Sequence, residues 1–196
     1  MGQFEYVMVL VSIIIGLGIA HLLLGVGGIV DRLTGLGERL QLSIAHAAWL
    51  GSIFTWMVLF WWWEFRLGVL VDQWTVGLYF FLVLYAVVLF LIAVVLVPRS
   101  WDGVTDLDEF VINRRGWLFS LYLSATGLDV VDSYLKGGWA YIRDTGAWGW
   151  GFWLVAIPLS AAGIRSTRIE HHRLIAVVFL ILQVAVGFGA LPTLGF

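Results

Sequence analysis

From Trp74 to Val97 the chain runs without a single charged residue. At 1.5 Å per residue a helix over that stretch is roughly 36 Å long, enough to cross a hydrocarbon layer of ~30 Å. In hydrocarbon every backbone N–H and C=O must be satisfied within the chain, so an apolar stretch of this kind is helical. Five further stretches of similar character surround it, over about 4–30, 42–65, 117–135, 148–164 and 174–191. The chain therefore reads as an all-α integral membrane protein. One domain, 1–196, holds a bundle of six transmembrane helices joined by short loops.

Composition supports the class. Hydrophobic residues make up 61% of the chain and charged residues 12%, and the mean hydropathy is +0.96. A soluble domain has about half apolar and about 25% charged residues. A net charge of −2 argues against nucleic acid as a partner. The absence of cysteine excludes disulfides, thiolate catalysis and Cys-ligated metals. Twelve Trp fit the interfacial anchoring of helix ends. The bilayer is the expected partner, with a homo-oligomer or a larger membrane complex as the expected assembly. The expected location is a bacterial inner (plasma) membrane. Met1 to Tyr6 carries no positive charge, so the first apolar segment reads as a retained span rather than a signal.

The loops set an orientation. Those after the first, third and fifth spans hold Arg32, Arg39, Arg99, Arg114, Arg115, Arg165, Arg168 and Arg173; the other two hold Arg66, Lys136 and Arg143. Positive charge collects on the cytoplasmic side, so both termini are expected on the non-cytoplasmic side. Within the spans, Ser12, Gly16 and Ala20 form a small-residue seam at four-residue spacing. The third span, nearly free of polar atoms, is expected to face lipid. The first, fourth and sixth spans are expected to line the interior. Pro158 is expected to kink the fifth.

The chemistry concentrates in the fourth span. At about 100° per residue Tyr122, Thr126, Asp129, Asp132, Ser133 and Lys136 share one stripe. A carboxylate inside a bilayer is costly and marks a site by default. Asp132 and Lys136 stand i, i+4 with the acid first, a favourable helical pair, and Asp129 has Ser133 within the same reach. Glu5 opens the first span and Glu64 closes the second, with Arg66 beside it. A mouth gathering Glu5, Glu64, Asp129 and Asp132 against Arg66 and Lys136 would bind protons or cations; headgroup-level placement is the alternative for Glu5 and Glu64.

His21 and His46, on the first and second spans, raise a minor alternative, bis-histidine haem. Otherwise no cofactor or metal is expected. A Soret band in the purified protein would decide that reading. His171 and His172 form only one short cluster. Gln183 is expected to bond between helices. G-x-S-x-G, H-E-x-x-H, the Walker sequence and TVGYG are all missing, so the chain leans away from an enzyme. Two main readings follow. One is a channel or carrier for protons, cations or a small solute, using Asp129 and Asp132. The other is a structural or accessory membrane subunit.

Overall fold

The computed structural model describes residues 2–35, 39–71 and 74–190. They form α1 (Gln3–Leu33), α2 (Ile44–Glu64), α3 (Leu67–Leu70), α4 (Val76–Leu96), α5 (Leu107–Asp144), α6 (Gly146–Arg165) and α7 (Ile169–Ala190). Six of these are long and follow in the order of the six apolar stretches, α5 reaching past its stretch at both ends. The expected end of the last span, Leu191, lies outside the described residues.

By length and hydropathy four of the described helices, Phe4–Leu33, Ile44–Leu70, Val76–Leu96 and Ile169–Gly189, are long and apolar enough to cross a membrane. The pair Leu107–Asp144 and Trp148–Arg165, bent by 101°, makes a fifth candidate if counted as one span. The set is compatible with an integral membrane protein.

Polar side chains start several helices. The Ser43 hydroxyl accepts from His46 N–H, and Thr75 accepts from Leu78 N–H, each satisfying a donor that the first turn leaves open. Asp106 accepts from the amides of Asp108 (2.7 Å) and Glu109 (3.3 Å). That cap starts α5 at Leu107, well before the expected start near Trp117. The first turns of α5 are rich in charge, so hydropathy reads them as loop although their hydrogen bonding is helical. At its other end α5 also passes the expected end near Leu135 and continues to Asp144. α6 continues across Pro158.

α2 occupies the centre, packing against α7, α4, α1 and α5. Its Trp49 indole meets Phe119, Tyr122 and Phe179 at ring centroid distances of 5.4, 5.3 and 5.3 Å. Trp56 meets Tyr122 at 4.8 Å. Tilted and edge-on contacts of this kind favour the ring quadrupoles and bury large apolar area.

Two expectations about faces are corrected. α4 is not merely a lipid-facing helix: Leu82, Tyr85, Ala86, Leu89, Ile92 and Ala93 are fully buried along one side, while Phe80 and Leu84 are exposed on the other. α1 does not line the interior with α5 and α7; it lies outside, against α4 and α2. It packs through Gly18, beside Met57 and Phe90, and Gly25, beside Val97. The Ser12–Gly16–Ala20 seam points away, with open space beside Gly16 among the described residues.

Close packing elsewhere gives a measurable contrast. A Cβ at Gly163 would run into the ring of Phe119, which is fully buried. Gly163→Leu is expected to destabilise by about 1–3 kcal/mol through overpacking. Gly16→Leu is expected to stay within about 0.5 kcal/mol of wild type. Thermal unfolding of the two variants in detergent checks both.

Candidate functional site

Asp132 and Lys136 lie one turn apart on α5, and their side chains pair. Lys136 also reaches across to the last residue of α2, its Nζ 3.1 Å from Oε1 of Glu64. These three charged side chains are 1–4% exposed. Glu64 is therefore inside the bundle rather than at its rim. A buried ammonium between two carboxylates offsets part of the large desolvation penalty that each group carries alone. The compensation is incomplete, because among the described residues Glu64 Oε2 and Asp132 Oδ1 are buried without a hydrogen-bond partner.

Asp129, one turn earlier on α5, is held differently. The Tyr85 hydroxyl of α4 donates to its Oδ1 at 3.1 Å, and the Trp153 indole N–H of α6 donates to its Oδ2 at 2.6 Å. Trp56 N–H of α2 lies 3.3 Å from the Tyr85 oxygen, completing a chain from α2 through α4 to α5. Among the described residues Asp129 thus has two neutral donors and no cation in hydrogen-bond contact. Ser133 does not serve it; that residue stands on the wall of the neighbouring cavity.

The cavity has a volume of about 810 Å³ and opens beside both acid groups. Asp129, Asp132 and Lys136 contribute polar wall; Trp56, Trp62, Trp63, Phe152 and Trp153 contribute much of the rest. Arg66 stands at its edge, its guanidinium 3.4 Å from the Tyr141 hydroxyl and 6.0 Å from the centre of that ring.

The helix carrying the acids breaks beside them. Gly137 (φ 171°, ψ 24°) and Gly138 (φ 65°, ψ −154°) leave helical geometry immediately after Lys136. Residues 139–144 then resume as a helix that brings Tyr141 to Arg66. This stretch is not the plain loop expected from Lys136 onward. The backbone groups freed by such a break are tolerated where they line a cavity or are buried in protein.

The other expected residues fall elsewhere. Glu5 accepts from Gly2 N–H at 2.9 Å and lines a separate cavity of about 220 Å³ with Phe4, Met8 and Trp61. Thr126 donates to the Tyr122 carbonyl on its own helix at 2.9 Å, a local bond. Tyr122 is enclosed by rings, and Gln183 N–H donates to its hydroxyl at 3.3 Å, the expected bond between helices. His46 Nε2 lies 2.8 Å from the Leu96 carbonyl, which occupies that nitrogen, and its ring meets Phe110. His21 lies against Phe90. Among the described residues no three His, Cys, Asp or Glu side chains are grouped to hold a metal. His171 and His172 each bond to Ser166, the first to its hydroxyl and the second to its carbonyl.

Sequence reasoning missed Tyr85, Trp56 and Trp153. A signal was present: Tyr85 and Trp56 stand near the middle of their helices, where an aromatic with a polar tip needs a partner inside the protein. Aromatics of the interfacial belts stand at helix ends instead.

These features define a class: an all-helical bundle with an internal acid–lysine cluster on the wall of an aromatic cavity. Within that class the chain matches no known family model, no curated protein and no solved structure.

Proposed function

We propose that this chain is a polytopic membrane protein that carries or conducts a proton, a cation or a small solute through the Asp129–Asp132 cavity. In this reading all six long helices lie in the bilayer, with the Arg-rich loops cytoplasmic and both termini outside. The observation that carries it is the charge count at the cavity. Glu64 and Asp132 share one ammonium, Lys136, and Asp129 and Asp144 add two more carboxyl groups to the cavity wall against one guanidinium, Arg66, so the acids outnumber the cations. Like charges that close in a weakly polar interior cannot all persist, so the excess is met by a proton or by another cation. Protons and cations then compete for the same groups, and cation binding tightens as pH rises.

The test is flux in liposomes. Wild-type protein should give pH-dependent or cation-dependent flux, and Asp129→Asn should abolish it. Unchanged flux in the variant, or no flux from wild type, overturns the reading.

A second reading rests on a different observation, the open Ser12–Gly16–Ala20 stripe on the outer side of α1. Small residues at that spacing allow helices of neighbouring subunits to approach closely, as in a self-associating or accessory subunit. Detergent-resistant oligomers that disappear with Gly16→Leu would support it.

A further inference from the structure

The chemical class of the ligand follows from what stands around Asp129. We infer that the cavity takes an organic ammonium ion, its charged head against Asp129 and Asp132 and its carbon skeleton against the indole and phenyl wall. This deepens the cation-binding reading above and rests on it.

Size gives the first argument. A volume of about 810 Å³ falls within the range of small-molecule sites, ~300–1,000 Å³, and is far larger than one bare metal ion needs. The wall gives the second. Hard inorganic cations require a shell of about six to eight oxygen ligands, and the acids here stand among Trp56, Trp62, Trp63, Phe152 and Trp153 instead. Aromatic faces attract organic cations, tryptophan most strongly.

Geometry gives the third. The Trp153 indole N–H is bound to Asp129 Oδ2 at 2.6 Å, so an indole and a carboxylate are adjacent parts of one wall. A cation in contact with Asp129 is therefore within reach of the aromatic wall of the same cavity. Lys136 is engaged by Glu64 and Asp132. The fourth argument is an unpaired acceptor. Asp132, 3% exposed, lines the cavity, and its buried Oδ1 has no hydrogen-bond partner among the described residues. An ammonium N–H supplies the donor that oxygen lacks.

The experiment compares phenethylammonium with 2-phenylethanol, a neutral molecule of nearly the same shape, by calorimetric titration of the full chain in nanodiscs. The ammonium is expected to bind at least about tenfold more tightly than the alcohol, and Asp129→Asn to remove the difference. Equal affinities, or no binding of the ammonium to wild type, overturn the inference, and this wild-type comparison stands even if the variant does not fold. Flux measured alongside separates the two claims. Proton or sodium flux without ammonium preference sinks the ligand class and keeps the carrier. Ammonium preference without flux of any cation sinks the carrier and keeps the ligand class.

Discussion

Replacing Lys136 with methionine is expected to cost about 3–5 kcal/mol of stability, the scale set by leaving a buried charge without its partner. Lys136 is the cation bound to both Glu64 and Asp132, and all three side chains are almost fully enclosed. Among the described residues, Glu64 Oε2 and Asp132 Oδ1 lack a hydrogen-bond partner even with Lys136 in place. Removing the ammonium therefore leaves two facing acids in a weakly polar interior. The triple change Glu64→Gln, Asp132→Asn, Lys136→Met is expected to recover most of the loss. Neutral groups avoid the desolvation penalty that the ions carry, and replacement of a whole buried ion cluster is often neutral or stabilising. Unfolding in mixed micelles measures both variants. A single variant as stable as wild type would show that the ion cluster does not hold α2 to α5.

The second large effect is expected at Gly138. Its backbone, φ 65° and ψ −154°, lies where a side chain on an L-residue clashes with its own backbone. Holding a non-glycine residue there costs about 1–3 kcal/mol, although nothing stands within 4 Å of the position a Cβ would take. The cost is conformational, so repacking of neighbours cannot relieve it. Gly138→Ala should lower stability by that amount and also reduce flux, since residues 139–144 carry Tyr141 to the cavity edge. Gly127→Ala is the matched control. Gly127 is exposed on the same helix with open space around it, and alanine there should be neutral or stabilising by up to about 1 kcal/mol. If the two variants unfold alike, the break after Lys136 is not specified by Gly138.

Much of this architecture was legible from the chain. A span such as Trp74–Val97 has one answer in hydrocarbon, so the number and order of the long helices followed from composition along the sequence. The Asp132–Lys136 pair followed from helical spacing alone. The early start of α5 was harder, because its opening turns are charged. The Asp106 cap with Glu109 three residues on was the local signal there.

Local periodicity says which residues share a face, and nothing about what that face meets. That Glu64 would reach Lys136 across 72 positions depended on how α2 and α5 pack. The same packing placed α2 at the centre and put α1 outside, although both are apolar and glycine or small residues occur along each. Tyr85 lies on the span expected to face lipid, and it became a partner of Asp129 because α4 turns its buried side towards α5. The sequence by itself determined that Asp129 and Asp132 stand on one polar stripe of a costly helix. Only the tertiary structure decided their different partners, Lys136 for one and the hydroxyl and indole of Tyr85 and Trp153 for the other. Those partners come from separate helices, and no spacing along the chain encodes the angle at which helices cross.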